Sequence, residues 1–166
     1  MKIGLIGVGN IGFHFANRLI AAGYELYIYD KSQKALERLS KSGAKICASA
    51  KDLASEVETV LLCLPMPQIV ADVAADVAQG SQVKVVVDLS TTGPSVTKQV
   101  ASMLEKHNIP MIGSPVSGGI VAAEKGTLAV MASGPKDIFE NIKPILSALG
   151  KNIFYLGADP TLGQTV

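Results

Sequence analysis

The chain has 166 residues and a mass of 17.3 kDa, the size of one domain with one core. Hydrophobic residues at 48% against 17% charged ones, with a mean hydropathy of +0.35, exclude intrinsic disorder and imply that part of the surface meets something other than water. Fifteen Lys and Arg against fourteen Asp and Glu leave a net charge of +1, and aromatics are 5% with no Trp, which excludes a bulk electrostatic drive toward nucleic acid or lipid and a base-stacking platform.

Residues 1–7 place one basic residue before an apolar stretch, but the glycines and Asn10 break up any signal-peptide core and no small-residue cleavage site follows. Within them, 3–6 reads as a strand. It delivers Gly7-Val8-Gly9-Asn10-Ile11-Gly12, a G-x-G-x-x-G run, into an amphipathic helix over 11–22 that Gly23 closes. In such a turn the first glycine permits the tight bend and the second lets the backbone approach a pyrophosphate with no Cβ in the way. The third lets helix and strand pack closely, and the helix aims unpaired N–H groups at the phosphate. The next strand, 25–29, ends in Asp30, eighteen residues after Gly12, where an acid hydrogen-bonds the adenosine ribose. A 2′-phosphate beside that carboxylate would meet repulsion of about 4 kcal/mol per charge pair at about 4 Å and an effective dielectric of about 20. NAD is therefore expected over NADP, with Lys31 the residue that would neutralise a phosphate where NADP binds.

Ser32 caps a helix predicted over 33–41, and 59–64 is the next strand, with Cys63 as a small buried hydrophobe inside it. Cys47 lies sixteen residues away, a spacing that fits neither CxxC nor zinc, so no metal is expected and the thiols point to a reducing compartment, the cytoplasm. The apolar segment 57–70 is cut by Glu58, Pro65 and Pro67 and falls short of the roughly 20 residues of a membrane span. Leu64-Pro65-Met66-Pro67 leaves that strand as a rigid apolar wall for a cofactor ribose and leads into a helix over 67–78. The strand 84–89 ends in Ser90-Thr91-Thr92-Gly93-Pro94, which brings hydroxyls to the same sheet edge before a helix over 94–106. Each turn read by itself is also an ordinary helix cap.

After a strand at 109–112 the rhythm changes to Ser114-Pro115-Val116-Ser117-Gly118-Gly119, whose hydroxyl and paired glycines suit either an anion-binding concavity or a cap-and-turn. A short helical stretch around Ala122 and Ala123, a strand at 127–132, a helix over 135–149 and a strand at 152–156 complete the pattern. His14, in the first helix, and His107, at the end of another, suggest no nucleophile–base pair. The alternation of apolar strands with helices predicts an α/β fold, a Rossmann-type doubly wound, mainly parallel sheet with helices on both faces. Residues 1–158 form that domain, and 159–166 read as a loop entering a further helix.

Three blocks resemble the β-hydroxyacid dehydrogenases, the family of 3-hydroxyisobutyrate dehydrogenase and tartronate semialdehyde reductase. They are Gly4 to Gly12 leading to Asp30; Asp88-Leu89-Ser90-Thr91-Thr92-Gly93-Pro94; and Pro115-Val116-Ser117-Gly118-Gly119 with Ala123, Gly126, Thr127 and Leu128, the family's substrate-loop signature. The resemblance runs from Met1 to Val166 and implies the cofactor domain of an NAD(P)-dependent enzyme that interconverts a small β-hydroxyacid and its semialdehyde. It implies that the Gly7 to Gly12 loop and Asp30 hold the adenosine diphosphate, that Leu64, Pro65 and Thr91 face the nicotinamide, and that Ser117, Gly118 and Gly119 bind the substrate's carboxylate and hydroxyl. Ile11 stands where the family usually has Met, and Phe13-His14-Phe15 is bulkier than usual. The family's acid/base lysine would be expected immediately beyond Val166, followed by a helical domain that completes the pocket and a homodimer or tetramer, so these residues alone are expected to bind cofactor with little turnover. The cofactor domain of an imine reductase or 6-phosphogluconate-type dehydrogenase, and a non-enzymatic NAD(H)-binding module, are the alternatives.

Overall fold

The structure, a computed structural model, describes residues 1–166. The strand β1 (Lys2–Ile6) is buried on both faces, with Ile3, Leu5 and Ile6 almost without exposed surface, as a central parallel strand requires. Helix α1 (Asn10–Ala21) buries Phe15, Ala16 and Leu19 and ends at Gly23, whose φ of +93° is the left-handed turn that glycine accepts. β2 (Glu25–Tyr29) leads to α2 (Gln33–Glu37), where the Ser32 hydroxyl accepts from the Ala35 N–H. β3 (Lys45–Ile46) and α3 (Ala50–Ala54) follow, then β4 (Thr59–Leu62), α4 (Pro67–Val77), β5 (Val85–Asp88), α5 (Pro94–Glu105) and β6 (Met111–Gly113). The remainder is β7 (Val116–Ser117), α6 (Gly119–Lys125), β8 (Leu128–Ala132), α7 (Lys136–Leu149), β9 (Gly150–Tyr155) and a 3-10 turn, Leu162–Thr165.

The six strands β1 to β6 form one sheet in the order β3-β2-β1-β4-β5-β6, all parallel. The order reverses between β1 and β4, the switch point at whose carboxyl edge ligands of open α/β sheets bind. One apolar core, with Phe15, Leu19, Phe139 and Ile142, lies under α1 and α7; the other, with Leu53, Val70, Val100 and Leu104, lies under α3, α4 and α5. The fold is the Rossmann-type α/β arrangement that the sequence predicts, with one addition. β7, β8 and β9 form a second, mixed sheet, joined to the first by the Gly113–Ser133 bridge. Arg18 of α1 fastens the two parts, donating from Nε to the Ala148 carbonyl (2.7 Å) and from Nη1 to the Glu124 carbonyl (3.4 Å), near the last turns of α7 and α6.

Several predicted bounds move, each for a local reason. The helix expected over 33–41 stops at Glu37, because the N–H groups of Leu39, Ser40 and Ser42 reach back only three residues and Gly43 turns the chain at φ +94°. The strand expected over 59–64 ends at Leu62: the Cys63 N–H still reaches the Ile6 carbonyl (2.9 Å), but the Leu64 N–H leaves the ladder for the Ser90 hydroxyl, and Cys63 packs against the core while lining a cleft. The strand expected at 109–112 begins at Met111, since the Ile109 N–H closes α5 on the Leu104 carbonyl and Pro110 has no N–H to give. No helix is long and apolar enough to cross a membrane.

Candidate functional site: the cleft at the switch point

The G-x-G-x-x-G turn joins β1 to α1, and each glycine meets a different constraint. Gly7 has φ +96°, and a Cβ there would stand 2.0 Å from the Cys63 carbonyl oxygen of β4's exit. A Cβ at Gly12 would stand 2.0 Å from the Gly7 oxygen, so the third glycine lets the helix close on the turn itself. Around Gly9 no atom lies within 4 Å of the Cβ position, and the space opens into the cleft. The first intrahelical bond of α1 runs from the Phe13 N–H to the Gly9 carbonyl (2.8 Å), so the N–H groups of Asn10, Ile11 and Gly12 have no helical acceptor, and no side chain caps them. A donor cluster at a helix N-terminus, beside a glycine that leaves room, fits a pyrophosphate.

Asp30, just past β2, fixes this turn. Its Oδ2 accepts from the Val8 N–H and its Oδ1 from the Ser32 N–H, each at 2.8 Å, and the Gly7 N–H donates to the Tyr29 carbonyl at 3.0 Å. The carboxylate thus stands on the β2 side of the helix mouth, with lone pairs left for ribose hydroxyls. Val8, expected among the cofactor-binding residues, is placed differently: its side chain is wholly buried and its N–H is taken by Asp30, so it shapes the turn and does not face the cleft.

The cleft itself has a volume of about 780 Å³. Gly7, Gly9, Asn10, Ile11, Gly12, Asp30, Lys31, Leu64 and Pro65 line it, together on one sheet edge as the sequence predicts. Met66 and Thr91 do not. Met66 precedes α4 and is 58% exposed, and Thr91 is exposed in the β5–α5 loop. Ser49, Ala50 and Lys51, with Ile69, Val73 and Asp76 of α4 and with Ile6, Tyr29 and Cys63 at the strand ends, complete the lining, and sequence reasoning missed them. The signal for the first three was Ser49, whose hydroxyl accepts from the Asp52 N–H and so starts α3. Ser117 ends β7, and Gly118 (φ +136°) and Gly119 (φ +72°) turn the chain into α6; all three are exposed and outside the cleft lining, followed by the exposed Ile120 and Val121.

Behind the cleft wall lies a buried carboxylate. Asp88, with no exposed surface, accepts from the Ser90 N–H (3.0 Å) and the Thr92 hydroxyl, and Ser90 in turn accepts from the Leu64 N–H (2.9 Å). Burial pushes the Asp88 carboxyl above its ordinary range, and the bonds from Thr92 and Ser90 only partly oppose this. Burial, then the charges of Asp88 and Asp30, push the Cys63 thiol up to about 12, and burial pushes Cys47 up to about 11. Neither thiol is a nucleophile at neutral pH. No group of three His, Cys, Asp or Glu is arranged to hold a metal ion.

Comparison with known proteins agrees with this geometry. Residues 2–157 match the family model described as the NAD binding domain of 6-phosphogluconate dehydrogenase. The chain is 37% identical, over 98% of its length and 51% of the relative's, to a probable mitochondrial 3-hydroxyisobutyrate dehydrogenase of Dictyostelium discoideum. It is 32% identical, over 95% of its length and 54% of the relative's, to an NAD-dependent L-serine dehydrogenase of Pseudomonas aeruginosa. The chain therefore spans about half the length of these relatives. A solved structure of Mycobacterium tuberculosis 3-hydroxyisobutyrate dehydrogenase with L-serine superposes with a TM-score of 0.94 at 27% identity, over 99% of this chain and 56% of that one. Matched from Lys2 to Gly157, with a strand–glycine turn–helix at its switch point and Asp30 bound to that turn, the chain belongs to the NAD binding domain family of 6-phosphogluconate dehydrogenase.

Proposed function

We propose that this chain is the cofactor-binding half of an oxidoreductase that moves a hydride between NAD and a small β-hydroxyacid or its semialdehyde. Similarity to 3-hydroxyisobutyrate dehydrogenases over nearly the whole chain carries this reading. The bound nicotinamide supplies the hydride chemistry. The chain's residues bind and orient: the free N–H groups at the start of α1 hold the pyrophosphate, Asp30 the adenosine ribose, and Leu64 and Pro65 exclude water along one wall. Ser117, the catalytic contact in this reading, would orient the substrate through its hydroxyl while the Gly118 and Gly119 N–H groups take the carboxylate. His14 packs edge-on to Phe13, and His107 sits past the far end of α5 with Nδ1 against the Met103 carbonyl; this proposal gives neither a role. By itself the chain is expected to bind cofactor with little turnover. The free thiols support a reducing compartment, the cytoplasm, and a homodimer or tetramer of the longer enzyme belongs to the same proposal.

The test is an NMR titration of the NAD-saturated chain with 3-hydroxyisobutyrate. The Gly118 and Gly119 amide resonances should shift in the parent and far less in Ser117→Ala, with cofactor affinity equal in both. Shifts confined to other residues would place the carboxylate elsewhere.

Asp30 makes a separate expectation about cofactor choice. If only half of the roughly 4 kcal/mol charge repulsion is felt, NADPH should bind about thirtyfold more weakly than NADH. Calorimetric titration with each nucleotide measures the ratio, and equal or tighter NADPH binding would mean that Lys31 has screened the carboxylate.

A further inference from the structure

One side chain outside the cleft ties the 3-10 turn Leu162–Thr165 to the β5–α5 loop at the carboxyl edge of the sheet. Gln164, in the 3-10 turn Leu162–Thr165, accepts at Oε1 from the N–H groups of Thr92 (3.0 Å) and Gly93 (2.9 Å) and donates from Nε2 to the Ser90 carbonyl (3.0 Å). It thus serves main-chain groups of three residues in the β5–α5 loop. The Ser90 hydroxyl accepts from Leu64 N–H at 2.9 Å, and Leu64 and Pro65 wall the cleft. The turn that carries Gln164 is itself seated, since the Gly163 N–H donates to the Ser133 hydroxyl (3.0 Å) and a Cβ at Gly163 would stand 2.3 Å from the Met131 carbonyl.

We infer that Gln164 is a positioning residue for the nicotinamide half of the cofactor, acting through the Ser90 loop on the Leu64–Pro65 wall; this rests on the cofactor reading above. In that reading Asp30 would hold the adenosine on the β2 side of β1 and the mouth of α1 would hold the pyrophosphate. The other half of a dinucleotide must then cross the ends of β4 and β5. There the backbone is irregular between Leu62 and Pro67 and between Asp88 and Pro94, and Gly93 enters α5 at φ +83° with no side-chain cap of its own. Chain that has left the ladder and not entered a helix depends on side chains for its main-chain partners. Gln164 supplies them from a different, well-seated segment, so the last turn of the chain and the cofactor wall are held in one register.

The experiment titrates the chain, Gln164→Ala and Gln164→Glu with NADH and with ADP-ribose, which lacks the nicotinamide. ADP-ribose affinity should agree within about twofold across all three. NADH affinity should fall about five- to tenfold in Gln164→Ala, one net hydrogen bond's worth. It should fall about two- to threefold in Gln164→Glu, whose carboxylate still accepts from Thr92 and Gly93 but cannot donate to Ser90. An NADH to ADP-ribose ratio that stays constant, even with a lowered melting temperature, would make Gln164 merely structural and overturn the inference. Should Gln164→Ala not fold, the glutamate variant carries the same ratio test. Failure of the unaltered chain to bind ADP-ribose would overturn the cofactor reading and this inference with it.

Discussion

Gly9→Ala is expected to leave the melting temperature of the chain unchanged while lowering NADH affinity between about tenfold and about 150-fold. The two halves of that expectation have separate causes. The backbone at Gly9 is extended, with φ −69° and ψ −150°, and nothing lies within 4 Å of the Cβ position, so a methyl group meets no protein atom. It does fill the space at the mouth of α1 where a phosphate oxygen would approach the free N–H groups of Asn10, Ile11 and Gly12. Losing one charge-assisted hydrogen bond costs roughly 1.5–3 kcal/mol, and each 1.4 kcal/mol is about tenfold in Kd. The neighbouring glycines serve as contrasts. Gly12→Ala drives a Cβ to 2.0 Å from the Gly7 oxygen, and Gly7→Ala combines a positive φ with a clash at the Cys63 oxygen, so both should destabilise the fold by about 1–3 kcal/mol or more. Calorimetry with NADH beside a thermal melt of each variant separates these cases. Parent-like NADH binding by Gly9→Ala would mean that the turn only connects β1 to α1.

The part of this site built from short-range rules was readable from the residues. Strong apolar runs made β1, β2, β4 and β5 visible, and the glycine turn and Asp30 sit at bounds that those strands set. The part of the cleft's wall at Ser49, Ala50 and Lys51 was hidden because the short elements around it, β3 and α3, carry almost no hydrophobic signal. β3 is two exposed residues, Lys45 and Ile46, held by pairing with β2 alone, and α3 is a five-residue helix with Ser49 as its only local mark. Ile69, Val73 and Asp76 fall within the helix expected over 67–78, yet which stripe of α4 faces the cleft depends on how α3 packs beside it. Val8 failed for the opposite reason. A motif assigns every residue in the turn to the ligand, whereas the long-range bond from its N–H to Asp30, twenty-two positions away, assigns it to the fold.

The same distinction explains the second sheet. β8 and β9 were legible as strands, but their separation from the parallel sheet follows from β7, two residues that pair antiparallel with β8 and place Ser117 at its rim. A stretch as short as Val116–Ser117 becomes a strand only when a partner is in place, so the sequence leaves it as part of a loop. The Gln164 contacts were illegible for a related reason: they join positions more than seventy residues apart and follow no local period.

Asp88→Asn should stabilise the chain relative to the parent by an amount that grows as pH rises from about 4. Asp88 is fully buried at the end of β5, and neither of the chain's ion pairs, Lys45 with Glu25 and Lys84 with Glu58, involves it. Burial therefore raises its pKa above the ordinary 3.8, against the partial opposition of Thr92 and Ser90. Over the interval between the ordinary and the raised value the folded chain retains a proton that the unfolded chain has released. Stability from this group is complete below the ordinary value and is lost as pH rises through the raised one, at up to about 1.4 kcal/mol per pH unit. Asparagine has the same shape, accepts from the Ser90 N–H at its carbonyl, donates to the Thr92 hydroxyl and does not ionise. The difference in unfolding free energy between variant and parent, from urea titrations at several pH values between about 4 and 8, should thus rise and then level off. Asp88→Ala leaves both donors without an acceptor and should lose about 1–3 kcal/mol for each at every pH. A difference between Asp88→Asn and the parent that does not vary with pH would mean that the Ser90 and Thr92 bonds hold the carboxylate charged without cost. The wall beside the cofactor would then rest on an anion, and the Asn variant should loosen it, weakening NADH as Gln164→Ala does.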